Sequence, residues 1–326
     1  MSVFNLSTVL STGNTNSTTD NSTTDNQAPN IAAPNIASAA MLVEVTLRRW
    51  SGQKKDKRAT EEMLRSNDAS EGAAAVTKFL MGTGKNKCPE LQAVDSFLNA
   101  VRTYVYNATM PWSDMGGRLL TTQRYFKFHE DITAFQQQLD TLLDPFIEAY
   151  EWRLNEAEAD RAGLGRMFNR DDFPSPEEVR RRFAIVVSYS PLPEAGDWRV
   201  DIGNYGNQVL KDHYEQSFAS RVDQMRGEVY ERFSKKVGTL INAMDWNAGE
   251  KPKRMYETTF DAVCEMIDDL EEFNLTGDTT MAELRKQLAS VMDGVTLEAL
   301  KTDHALRATK KQQLEQAIKA LPSLDW

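Results

Sequence analysis

The strongest constraint in this chain is a long apolar stripe at helical spacing between residues 205 and 245. Val209, Phe218, Val222, Met225, Val229, Phe233, Val237, Leu240 and Met244 recur along it. An unbroken helix of that length would run about 60 Å. That exceeds the width of a compact domain, so the helix must protrude, break, or pack against a partner.

Other helical patterns precede it. Leu91, Val94, Leu98, Val101 and Val105 form one stripe, and Phe128, Ile132, Phe135, Leu139 and Leu142 form a second. Asp144-Pro145 falls inside the second pattern. Proline cannot continue the hydrogen-bond ladder, so a kink or restart is expected there, followed by Phe146, Tyr150 and Leu154. Shorter helices are expected near 255 to 273, 279 to 292 and 303 to 320. Thr279 or Thr280 is placed to cap the second of these after the turn Asn274-Leu275-Thr276-Gly277-Asp278.

Strand patterns are few. Val43, Val45 and Leu47 alternate with Glu44, Thr46 and Arg48, and Ser51-Gly52 ends the run. Phe183, Ile185, Val187 and Tyr189 give a second strand, and Trp198, Val200 and Ile202 give a third. Between the first two, Ser175-Pro176-Glu177-Glu178 carries an N-cap, a proline at the first helical position and a capping-box glutamate. The expected fold class is α+β and mainly α-helical. Long antiparallel helices would carry a small antiparallel sheet from about 42–49, 183–190 and 197–203, which meets the three-strand minimum for a stable sheet.

The polar repeat NSTTDNSTTDN and the Ala/Pro-rich APNIAAPNIA cannot bury enough apolar surface to offset the entropy of ordering. Residues 1–40 therefore read as a disordered tail, 41–204 as a mixed helix and sheet domain, and 205–326 as a helical region that packs on it as one unit or stands apart. The N-terminus has no basic leader segment, and no apolar run approaches the ~20 residues that cross a bilayer.

Net charge is −10, which argues against general affinity for duplex DNA or an acidic membrane. Cys88 and Cys264 are the only cysteines, and His129, His213 and His304 are dispersed, so neither a disulfide framework nor a metal spacing is present. The expected cofactor and metal complement is none. MGTGKNK at 81–87 lacks the first glycine and the final Ser/Thr of a phosphate loop, and reads as a loop between helices. DDLEEF at 268–273 reads as an acidic solvated face, since no second motif pairs with it.

One anion-binding patch is conceivable. Residues 41–66 hold seven Lys/Arg against four Asp/Glu, a local excess of three positive charges. Trp50, Lys54 and Lys55 lie there. Arg180, Arg181 and Arg182, with Trp198 and Arg199, would join them if the sheet brings the segments together, offering planes on which bases stack. The arginine triplet also has a purely structural reading, as cations favoured at a helix C-terminus. Trp112, in the turn-forming PWSDMGG, and the terminal Trp326 are candidate partner contacts, with the core as the other reading for Trp112.

In order, MPWSDMGGRLL, FPSPEEVRRRF, PLPEAGDWRV and FNLTGD, with Trp50-Ser51-Gly52, resemble an uncharacterised family encoded by tailed bacteriophages and prophages. The resemblance implies phage origin, the host cytoplasm, and neighbourhood to DNA-metabolism genes or MoxR-type AAA ATPases, one of which would then be a partner. It supplies no catalytic residues. The expected function is non-enzymatic, exerted by assembly with itself or with a phage or host protein. The alternative is a single-stranded nucleic-acid-binding or annealing factor. Hydrolase or nuclease chemistry is a third class.

Overall fold

The computed structural model describes residues 33–112, 117–160, 163–192, 203–246 and 250–321. They belong to one compact unit that begins at Ala32. The fold is α+β and mainly helical, with one four-stranded and one two-stranded antiparallel sheet.

Regular structure is present before Met41. The short helix α1 (Ala33–Ala39) leads directly into β1 (Ala40–Arg48), and Ile36 is fully buried. The Ala/Pro repeat thus supplies one core side chain, which its composition conceals. After β1 come β2 (Gln53–Asp56), α2 (Lys57–Ser66) and β3 (Val76–Phe79), so the basic run 54–58 is the end of a strand and the start of a helix. Asp56 caps α2, accepting from the Ala59 N–H at 3.0 Å.

Helix α3 (Pro89–Ala108) buries all five stripe residues, Leu91, Val94, Leu98, Val101 and Val105. Strands β4 (Met110–Pro111) and β5 (Arg118–Thr121) follow, then α4 (Tyr125–Asp160). α4 runs through Pro145 with no restart. Phe146 and Tyr150, in the turns after the proline, are fully buried and pack against Trp50 and, through Phe146, Phe183. That packing compensates for one missing ladder bond. In the second stripe the buried position is Leu143, with Leu142 only partly covered.

Helix α5 (Pro176–Arg181) starts as expected, Ser175 Oγ accepting from the Glu178 N–H at 3.2 Å. The Glu178 side chain does not return the bond. It pairs with Arg182 at 2.8 Å instead. β6 (Ala184–Pro191) then pairs with β1 across Met41 to Arg48. The sheet order is β4-β5-β1-β6. The predicted third strand at 197–203 lies outside the described residues except for Gly203, which opens a helix. Val43, Val45, Leu47, Ile185, Val187 and Tyr189 share one face and pack into the α3–α4 core. Glu44, Thr46, Arg48, Val186, Ser188 and Ser190 face away and are exposed.

The long stripe is one helix, α6 (Gly203–Met244), 42 residues without a break. Phe218 through Met244 are buried at every predicted position, while Val209 is 49% exposed. No second chain is needed to cover this stripe. α6 packs on β4, α7 (Glu257–Glu272) and α10 (His304–Lys319). Between the last two lie α8 (Thr279–Met292) and α9 (Leu297–Thr302). The cap of α8 is Asp278, accepting from Thr280 and Met281 N–H at 2.8 and 3.2 Å. A carboxylate is the better acceptor there.

Candidate functional site

A cleft opens beside β1. β1 is paired with β6 as far as Arg48, and with β5 across Ala40 to Val43, where Val43 faces Arg118. Between β1 and the C-terminal half of α3 is a cavity of about 240 Å³ lined by Val45, Leu47, Arg102, Val105, Tyr106 and Arg118.

The cleft is apolar at its floor and cationic at its rim. Tyr106, 44% exposed, is flanked by two guanidiniums, Arg118 at 5.0 Å and Arg232 at 4.2 Å from its ring centre. These two share a single carboxylate, Glu228. Arg118 Nε donates to Thr109 Oγ1 at 2.6 Å, and Arg232 Nη2 donates to the Thr109 carbonyl at 3.0 Å. Burial pulls the Arg118 pKa below its ordinary value, and the neighbouring Arg232 adds to this against the attraction of Glu228. The fixed pair holds the Tyr106 ring at the mouth of the cleft.

The outer cations are less satisfied. Arg49 Nη1 reaches only the neutral Asn99 Oδ1, at 3.4 Å. Asn99 and Arg102 are neighbours on α3 at i,i+3, so Arg49 and Arg102 sit on the same rim. Neither Arg102 nor Arg48 has an ion pair or a hydrogen bond among the described residues. In a chain of net charge −10, this rim is a local reversal of sign.

The residues singled out from sequence are placed elsewhere. Trp50 is 5% exposed and stands edge-on to Tyr150 at 5.5 Å, so its ring is core and closed to a base from solution. Lys54 and Lys55 are exposed on β2, Lys54 at 3.9 Å from Asp172. Arg180 reaches Asp144 at 2.7 Å and Asp140 at 4.0 Å on α4. Arg182 is held by Glu178, and Arg181 is exposed. The arginine triplet is mostly spent on its own carboxylates, which weakens it as an anion site. Trp112 is buried and packs on Phe218 at 5.1 Å, the core reading rather than the partner one. Trp198, Arg199 and Trp326 lie outside the described residues.

The acidic run 268–273 is a solvated face only in part, with Asp268 and Glu271 exposed. Asp269 is 8% exposed and takes ion pairs from Arg124 at 2.6 Å and Lys236 at 3.1 Å. Glu271 and Glu272 pair with Arg285 and Arg124. Lys78 is similarly enclosed, bonded to Asp56 at 3.2 Å, to Asp172 and to the Met167 carbonyl. Burial alone would lower its pKa, but the bonds to Asp172 and Asp56 raise it.

MGTGKNK joins β3 to α3 rather than two helices, through a single 3₁₀ turn Gly84–Asn86. It flanks a cavity of about 460 Å³ that Lys78 also lines, a cation already neutralised by its two carboxylates. Among the described residues no three of His, Cys, Asp and Glu are grouped to hold a metal, and no helix is long and apolar enough to cross a membrane.

Compared with family models, with curated proteins and with solved structures, the chain has no match in any of the three. The resemblance to a phage family rests on its motifs alone.

Proposed function

We propose that this protein acts by holding a protein partner at the cleft beside β1, rather than by catalysis. The observation that supports this is an apolar cavity bordered by Arg49 and Arg102, which have no carboxylate partner among the described residues. A specific contact needs an apolar anchor site and a charged border that orients the partner, and the cleft offers both. On the phage resemblance, the partner is a phage or host protein in the host cytoplasm. Self-association through this surface is disfavoured, because two copies would bring like-charged rims together.

Single-stranded nucleic acid is the second reading. Arg48, Arg49 and Arg102 would suit phosphates, and the exposed Tyr106 ring would accept a stacked base. The overall negative charge opposes that reading.

The test is site-specific photo-crosslinking in the native host cell. Tyr106→p-benzoylphenylalanine should give one discrete protein adduct that the same group at the exposed Glu298 does not. Equal labelling from both positions, or none from 106, would overturn the partner reading. A nucleic-acid adduct specific to 106 would install the second reading.

A further inference from the structure

We draw no further inference here: the strongest candidate, the cavity of about 300 Å³ between the end of α6 and α10 that Trp246, Arg307 and Lys311 line, carries nothing, because Arg307 is spent on the carbonyls of Leu300 and Trp246 and Lys311 on Asp245 and Glu315, and nothing in the structure shows what would fill it.

Discussion

Arg124, just before α4, places its Nη2 2.6 Å from Oδ1 of Asp269 on α7, with its guanidinium 4.6 Å over the Phe273 ring. Lys236 of α6 reaches the other oxygen of the same carboxylate at 3.1 Å. One buried acid therefore joins the sheet-bearing half of the molecule to the helical half.

Asp269→Ala should destabilise the protein by about 2–4 kcal/mol, somewhat under the range for a fully buried pair, because both cations keep 20% of their side chains exposed. Urea unfolding followed by circular dichroism gives the value. A loss below about 1 kcal/mol would mean that water replaces the carboxylate at no great cost.

Gly82 has φ +73°, and a Cβ there would lie 2.2 Å from the Asn86 carbonyl oxygen. Gly82→Ala meets both a strained backbone and a backbone clash that no side-chain rotation relieves. A destabilisation of about 2 kcal/mol or more is expected. Gly84→Ala has φ +57° but open space around it, and should cost less. Equal losses for the two would refute the clash.

The Asp56 carboxyl is held below its ordinary pKa by the Ala59 N–H, with Lys78 adding to this against burial. A depressed acid contributes stability above its unfolded pKa and loses it as pH falls through the folded value. Asp56→Asn preserves a capping side chain and removes the charge. The gap between wild type and variant should be level from about pH 5 to 8 and close below about pH 4. A gap that widens in acid would contradict the assignment.

Arg307 is 2% exposed, with its guanidinium 3.4 Å from the Trp246 ring centre. It donates to the carbonyls of Leu300 at 3.0 Å and Trp246 at 3.3 Å, tying the end of α9 to the end of α6. Arg307→Lys keeps the charge and gives up the fork and the stack. A loss of about 1–3 kcal/mol is expected by thermal or urea unfolding. No loss would show that the charge alone suffices.

Local patterns located the helices well. The five buried positions of α3 and the bounds of α8 follow from periodicity, because a one-sided helix repeats its environment every turn. Strands β4 and β5 did not show, since two and four residues give no alternation to read. Trp50 and Asp269 were misread for a shared reason. Sequence context suggested a basic patch for one and a solvated face for the other, and burial by distant elements decided both. The cleft was illegible because its residues run from Val45 to Arg118 and meet only in the fold. The paired arginines 48 and 49 at the strand end were the one local hint.

The tie between Arg124 and Asp269 spans 145 residues of chain. At ribosomal speeds of about 5–20 residues per second, roughly 7–30 s separate the synthesis of its two ends. During that interval the sheet and its helices can assemble, yet Arg124 waits without its acid. The carboxylate thus acts as a late latch, fastened only after α7 is made.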